Sequence, residues 1–214
     1  MNKFNALRIY SEAGKVAGRV VEAALDELSG GEVVFKIDAT GVVISSGDAR
    51  YQPGDEVICT SYDFGVAHDG GYSQVCRVPA DWVVPLPKGL TLFDAAALGV
   101  AGYTAGLAME LLELNGMAPG NGKVLVNGAT GGVATLAIDM LSRLGYHVVA
   151  VTGKDAEHEF LRKLGAAEVL PRQQPEPGSR PLEKALWAAA FDSVVMPTPA
   201  AVLEGARLVA DGLP

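Results

Sequence analysis

The stretch that most constrains the fold is KVLVNGATGGVATLAIDMLSRLGYHVVAVTGK, residues 123–154. A short apolar run stops at several small residues and a glycine pair, and a helical pattern then leads into a second apolar run. Short, wholly apolar strands that alternate with helices are typical of a parallel sheet covered on both faces. The sequence therefore predicts a strand–helix–strand unit of the α/β class.

The same alternation extends on the C-terminal side. The spacing predicts strands over 123–128, 147–152 and 167–170, and helices over 132–144 and 155–164. AAAFDSVVM is a candidate fourth strand, QQPEPGSRP is a predicted surface loop, and PAAVLEGARLVADGL is predicted to close the chain as a helix.

The first third of the chain has a different pattern. NALRIYSEAG and EVVFKIDATGVVISSG cluster β-branched residues and stop at Gly, Ser and Asp. Pro53-Gly54-Asp55 predicts a turn ahead of a short strand, and Pro79 separates two more short strands. Closely spaced short strands with Gly and Pro turns predict a small β-barrel.

An Ala- and Leu-rich segment, TLFDAAALGVAGYTAGLAMELLELNG, joins the two parts. It predicts two helices interrupted between Gly99 and Gly102. Thr91 is the expected N-cap, with Asp94 three residues on in a variant of the capping box. Gly116 is the expected C-terminal stop.

The glycine turn GATGGVA, residues 128–134, lies between a predicted strand and a predicted helix. Glycine lets the backbone turn sharply and approach a ligand closely. The start of the helix offers unpaired N–H groups and the positive end of its dipole, which suits a pyrophosphate. The frame Ala129-x-Gly131-x-x-Ala134 fits the dinucleotide pattern G-x-G-x-x-G/A, with Ala in the first and last places. The alternative is a tight turn without a ligand.

The end of the second strand reads Val151-Thr152-Gly153-Lys154, where an NAD site usually has Asp or Glu for the ribose 2′-OH. A hydroxyl, a backbone N–H and an ammonium are donors, and donors suit a 2′-phosphate. This pattern favours NADP over NAD. Two alternatives remain: Lys154 is a solvated loop residue, or Asp155 is offered to a ribose.

Composition argues against several other classes of protein. A formal net charge of −8 argues against broad nucleic-acid binding, which needs clustered Lys and Arg. The only cysteines, Cys59 and Cys76, are expected to be small buried side chains, and with three scattered histidines they predict no metal site. No N-terminal signal core and no apolar run of about 18 residues is present. We expect a cytoplasmic protein that binds neither nucleic acid nor membrane.

Six phrases together resemble one family: DARYQPGDEV, TSYDFGVAHDGGYSQ, VPADWVVPLPKGL, LGVAGYTAGLAM, GKVLVNGATGGV and GYHVVAVTGK. The chain resembles the zinc-independent medium-chain dehydrogenase/reductases, in the branch of quinone oxidoreductases and NADPH-dependent acryloyl-CoA reductases. The likeness covers most of residues 48–190. It implies a GroES-like β domain at 1–98, a Rossmann NADP-binding domain at 99–195 and a C-terminal helix at 196–214.

The resemblance also implies NADP(H) as cofactor, a small-molecule enoyl thioester or quinone as hydride acceptor, no metal, and a homodimer. Carried over by position, the residues expected at the pyrophosphate are Thr130, Gly131, Gly132 and Val133. Those expected at the 2′-phosphate are Thr152, Gly153 and Lys154. Thr104 is expected near the nicotinamide, and Tyr103 in the core.

The chain departs from the family in ways that leave a second function open. The family's Asn-Tyr-Lys-Asp stretch is absent, since VVFKIDATGVV passes directly from one strand to the next, and a second join lies in AAAFDSVVMPTP. Val100 stands where relatives usually have Thr, and Ala134 where they usually have Gly. We expect a longer family member whose two internal segments and tail are omitted from this sequence. If they are truly deleted, a catalytically inactive NADP-binding protein is the alternative.

Overall fold

The structure, a computed structural model, describes residues 3–38, 40–172 and 186–194. The chain divides into two compact units, Met1–Val100 and Ala101–Pro214, and each is described by itself. The domain limits 1–98, 99–195 and 196–214 remain predictions. The predicted loop 173–181 and the predicted C-terminal helix lie outside the described residues.

The first unit begins with a long antiparallel hairpin of β1 (Lys3–Glu12) and β2 (Lys15–Ala24). Its turn residues, Ala13 and Gly14, both have positive φ. The sequence predicted β1 but not β2. Most of β2 is exposed, so the burial that produces an alternating apolar pattern is missing from its sequence.

A five-stranded antiparallel sheet completes the β part of this unit, in the order β6-β3-β4-β5-β7. The strands are β3 (Val33–Asp38), β4 (Thr40–Ser46), β5 (Glu56–Cys59), β6 (Val75–Val78) and β7 (Val83–Pro85). The turn with Gly54 at φ +98° precedes β5, and Pro79 follows β6, as predicted. One face of the sheet is closed by Val33, Phe35, Val43, Val57 and Val78, all nearly inaccessible.

β3 and β4 follow one another directly. They pair antiparallel up to Asp38 opposite Thr40. The structure therefore joins these two strands at the point where the family's Asn-Tyr-Lys-Asp stretch was expected to be missing.

Helix α1 spans Leu92–Leu114 and is interrupted at Gly99, which has φ 49° and ψ −154°. Thr91 and Asp94 cap its start reciprocally: Oγ1 of Thr91 accepts the Asp94 N–H at 3.1 Å, and Oδ2 of Asp94 accepts the Thr91 N–H at 3.1 Å. Gly116, at φ +85°, follows its end. The break, the cap and the stop are confirmed. The core assignment of Tyr103 is wrong, because its side chain is 66% exposed.

By length and composition alone, α1 is long and apolar enough to cross a bilayer. A core helix of a soluble protein can have the same length and composition. The helical conformation is also broken at Gly99. The expectation that the chain does not enter a membrane stays a prediction.

The second unit is built on a four-stranded parallel sheet in the order β10-β9-β8-β11. In chain order its elements are β8 (Lys123–Asn127), α2 (Gly132–Arg143), β9 (His147–Thr152), α3 (His158–Leu164), β10 (Glu168–Pro171) and β11 (Ala189–Asp192). These confirm the predicted elements, with a 3₁₀ turn over Asp155–Glu157 in place of the first turn of α3.

The core of this unit lies between the sheet and its helices. Ile138, Leu141 and Leu161 are fully buried against Val124 and Val148. Burying one such side chain contributes about 2 kcal/mol. This core fixes α2 against β8, and so fixes the turn between them.

Candidate functional site

The turn after β8 adopts a conformation that requires glycine. Gly128 has φ +68°, and a Cβ there would lie 2.7 Å from Cγ2 of Val194 and 3.0 Å from Oγ of Ser193. Its carbonyl accepts the Gly131 N–H at 2.8 Å. The chain therefore reverses tightly and presents Gly131 as the residue that starts α2.

The start of α2 has no side-chain cap among the described residues. Gly131 is extended, with φ −81° and ψ 159°, and the first helical bond runs from the Thr135 N–H to the Gly131 carbonyl at 2.9 Å. The N–H groups of the first helical turn lack intrahelical acceptors. Since Gly131 and Gly132 are exposed, the positive end of the helix dipole faces solvent without side chains over it. An exposed helix start without a side-chain cap is suited to binding a diphosphate.

Two polar residues that sequence reasoning missed tie β8 to β11. Nδ2 of Asn127 donates to Oδ1 of Asp192 at 3.0 Å, and Oδ1 of Asn127 accepts the Gly128 N–H at 3.0 Å. Oδ1 of Asp192 also accepts the Val194 N–H at 3.1 Å. The available signal was that each is a polar residue at the last position of an apolar strand.

Exposure to solvent differs among the three residues at the end of β9 that are predicted to bind a 2′-phosphate. Thr152 is buried, at 5% exposure, and its Oγ1 accepts the Lys154 N–H at 3.1 Å. Gly153 and Lys154 are exposed. Thr152 therefore shapes the loop, and the groups turned toward solvent belong to the next two residues. The roles of all three stay predictions.

Asp155, the acid that offered the alternative, follows this loop. Its side chain is 91% exposed, and its Oδ1 lies 3.7 Å from Nε2 of His158. That nitrogen is buried and has no hydrogen-bond partner among the described residues. The carboxylate thus lies toward the start of α3.

Thr104 lies on α1 and lines a cavity of about 260 Å³. Val133 and Ala134 of α2, together with Phe191 and Asp192 of β11, line the same cavity. The structure therefore brings Thr104 together with the start of α2. Thr152, Gly153 and Lys154 lie at the end of β9, on the other side of β8 from this cavity's β11 wall.

The cysteines are unsuited to nucleophilic chemistry. Burial raises the pKa of the Cys76 thiol to about 12 and that of Cys59 to about 11. Both thiols are protonated near neutral pH, and the thiolate is the reactive form. Among the described residues, no group of three His, Cys, Asp or Glu side chains could hold a metal ion. The expectation of metal-free chemistry stays a prediction.

Known proteins match this chain both through a domain profile and as individual relatives. The profile of the alcohol dehydrogenase GroES-like domain matches residues 10–88. Acrylyl-CoA reductase AcuI of Ruegeria pomeroyi is 41% identical over 223 residues, covering 89% of this chain and 68% of the relative. The chain belongs to the medium-chain dehydrogenase/reductase family. Its fold is accordingly a GroES-like domain with a Rossmann-type parallel sheet, as predicted.

Other members of the family are similar. Quinone oxidoreductase YhfP of Bacillus subtilis is 46% identical over 183 residues, covering 85% of this chain and 53% of the relative. Its crystal structure with NAD bound has a TM-score of 0.83 at 38% identity, covering 89% of this chain and 67% of that one. The YhdH oxidoreductase of Salmonella enterica, solved in complex with NADP, has a TM-score of 0.84 at 35% identity, covering 93% and 69%. This chain spans about half the length of YhfP.

Proposed function

We propose that this chain is an NADPH-dependent reductase. The observation that carries the proposal is the uncapped start of α2 behind a turn that requires glycine, beside a strand end that exposes Gly153 and Lys154 instead of an acid. Family membership and the NADP complex of the Salmonella enterica relative support the same cofactor.

The binding roles follow from the placement of the residues. The amides of Gly132 and Val133 would hold the diphosphate beside Gly131, whose own N–H is bonded to the Gly128 carbonyl. Lys154 would hold the 2′-phosphate. When bound, NADPH supplies a hydride from its nicotinamide ring. The bond between Asn127 and Asp192 keeps the ends of β8 and β11 together, next to the surface against which the cofactor would lie.

For the acceptor, we propose an activated C=C bond in an enoyl thioester such as acryloyl-CoA, or a quinone, reduced without a metal. The named activities of two relatives, an acrylyl-CoA reductase and a quinone oxidoreductase, support this choice. Reduction of such an alkene builds negative charge on its carbonyl oxygen, which requires preorganised donors. A homodimer and a cytoplasmic location belong to the same proposal.

A second candidate is a catalytically inactive NADP-binding protein. The direct pairing of β3 with β4 at Asp38 and Thr40 favours it, because the family's Asn-Tyr-Lys-Asp stretch is absent from this join.

Two measurements on the purified chain separate the candidates. NADPH binding is measured by calorimetry, and NADPH consumption is followed by absorbance with acryloyl-CoA or a small quinone as acceptor. Turnover with either acceptor supports the reductase. Binding without turnover supports the inactive relative, and failure to bind NADPH contradicts both.

A further inference from the structure

One face of helix α1 in the second unit is apolar and uncovered. Its side chains recur at spacings of four, four and three residues, so they lie along a single line on the helix surface. We call this line the α1 stripe; its members are Tyr103, Leu107, Leu111 and Leu114, each between 43% and 74% exposed. An apolar line of this kind on a helix normally packs against another element. No element within the described ranges covers it.

The α1 stripe borders the cavity of about 260 Å³ between α1, α2 and β11. Leu111 belongs to both, because its side chain lines this cavity together with Phe191 and Ser193 at the end of β11. The described part of the chain ends one residue after Ser193, at Val194. The segment that follows β11 therefore starts beside the α1 stripe.

That segment has an apolar line of the same kind in its sequence. In the predicted helix 199–213, apolar residues recur at spacings of four, three and four: Val202, Ala206, Val209 and Leu213. The charged residues fall on the other side of such a helix: Glu204, Arg207 and Asp211. Gly205 and Gly212 lower its intrinsic stability, so a helix here depends on packing against a partner.

The direction of α1 fits a neighbour that follows β11. Thr104, in the middle of α1, lines the cavity at the carboxyl end of β11. Beyond the other end of α1, the Met117 carbonyl accepts the Tyr146 hydroxyl at 3.3 Å, directly before β9 begins. Helix α1 thus runs opposite to the strands. A helix that packs on the sheet after β11 also runs opposite to its strand, and the two helices would lie parallel.

We propose that residues 199–213 form a helix that packs parallel to α1 and covers the α1 stripe. A fifteen-residue helix is about 22 Å long, and the stripe from Tyr103 to Leu114 spans about 17 Å, so the lengths match. Equal spacing then sets Ala206 beside Leu107 and Val209 beside Leu111. This inference goes beyond the proposed function, because it concerns the packing of the second unit and not its cofactor.

The tether favours this occupant over a second copy of the chain. Nine residues separate Ser193 from Val202 and reach at most about 30 Å, so the segment stays close to the stripe. A short flexible linker gives an effective concentration in the millimolar range. A second copy at micromolar concentration competes poorly with a segment held at that level.

Nuclear Overhauser contacts in the full chain, with Leu and Val methyl groups labelled with ¹³C, test the proposal. We expect contacts from the methyl groups of Leu107 and Leu111 to those of Val202 and Val209. A sample of equal parts labelled and unlabelled chains, recorded with an isotope filter, detects only contacts between molecules. That sample should show none of these contacts.

Two adjacent substitutions provide the matched pair. Val209→Glu puts a charge on the face that would meet α1, and we expect it to abolish the contacts and to shift the Leu107 and Leu111 methyl resonances. Leu208→Glu puts the same charge on the opposite face of the predicted helix and should preserve both. Helical signal in far-ultraviolet circular dichroism should fall in Val209→Glu and not in Leu208→Glu, because the segment needs its partner to be helical.

Absence of contacts between the α1 stripe and residues 199–213 in the unmodified chain would overturn the proposal. Contacts that appear only in the isotope-filtered mixed sample would also overturn it, since the occupant would then be a second copy. Equal responses of Val209→Glu and Leu208→Glu would contradict the assigned face. Should Val209→Glu not fold, the contacts in the unmodified chain decide alone. Since none of these measurements uses NADPH, their outcome is separate from that of the proposed function.

Discussion

The four-stranded parallel sheet has an amino edge, where its strands begin, and a carboxyl edge, where they end. Polar residues at these two edges differ in whether they are paired with one another. At the amino edge, Glu168 at the start of β10 accepts from Lys123 and His147, each at 2.7 Å. These three residues begin three adjacent strands and satisfy one another. At the carboxyl edge Asn127 bonds to Asp192, but the start of α2 is uncapped and Lys154 forms no ion pair with any residue that the structure describes. One edge is closed by its own side chains, and the other presents donors to solvent.

This difference between the edges indicates where binding of an anion is favourable. An edge whose charges are already paired gains little from an anion, because binding must break an existing ion pair. Donors that have only water as partner gain a full set of charge-assisted hydrogen bonds. In open α/β sheets ligands bind beyond the carboxyl ends of the strands. We therefore infer that the residues of the amino edge stabilise the fold and that those of the carboxyl edge recognise the ligand.

The largest expected effect comes from forcing a side chain into the glycine turn. Gly128→Val places a β-branched residue at φ +68° and brings its Cβ within 2.7 Å of Val194. Strain and overlap together should lower the free energy of unfolding by about 3 kcal/mol, measured by urea denaturation. The matched control is Gly132→Ala, whose Cβ would lie an ordinary 3.7 Å from that of Ala101. If Gly128→Val were as stable as Gly132→Ala, the described turn would be incorrect.

Selectivity at the carboxyl edge should reverse when an acid is introduced. Gly153→Asp meets only Cβ of Arg172 at 3.8 Å, so the fold should tolerate it. Repulsion of the 2′-phosphate should weaken NADPH binding about thirty-fold, while NADH binding is kept or improved. Gly153→Asn, which has nearly the same shape and no charge, is the control and should retain the preference for NADPH. Equal effects of the two variants would remove the electrostatic explanation.

At the amino end of β9, loss of a hydroxyl should affect stability alone. The hydroxyl of Tyr146 lies 3.0 Å from Oε1 of Glu113 and 3.3 Å from the Met117 carbonyl. Tyr146→Phe should therefore lower the free energy of unfolding by about 1 kcal/mol. Nucleotide affinity should be unchanged. Tyr103→Phe, at an exposed position of α1, is the control for stability. A change in NADPH affinity in Tyr146→Phe would contradict the inference that nucleotide binding depends on the carboxyl edge alone.

The smallest effect is a pH dependence at the amino edge. Hydrogen bonds from Lys123 and then from His147 hold the pKa of Glu168 below its ordinary value. A lowered pKa in the folded state stabilises the protein above the ordinary Glu pKa of about 4.3, and this contribution is lost as the pH falls through the folded value. Glu168→Gln should accordingly flatten the acid side of the melting temperature profile. Parallel profiles for the variant and the unmodified chain would contradict the ion network.

The sequence was sufficient to predict an element wherever its apolar pattern agrees with the burial of its residues. The strands 147–152 and 167–170 are apolar runs between turn residues, and the turn at Gly128 carries its own conformational requirement. The sequence was insufficient where apolar or aromatic residues are exposed to solvent. Strand β2 is largely exposed, and Tyr103 is exposed on an apolar helix.

The candidate site shows a similar limit. The donors at the end of β9 are visible as a sequence of residue types, but which of them face solvent depends on the bond between Thr152 and Lys154. Arg172 is distant in sequence from the glycine turn. It lies beside Gly153 only through the register of β10 on β9, which no local pattern specifies.

The most direct test of the account is a titration of the ¹⁵N-labelled chain with NADPH, followed by the amide resonances of the second unit. We expect the amide resonances of Gly131, Gly132, Val133, Gly153 and Lys154 to shift. The amide resonances of the amino-edge residues Lys123, His147 and Glu168 should not shift. Shifts confined to the amino edge, or no shifts at saturating NADPH, would contradict the assignment of recognition to the carboxyl edge.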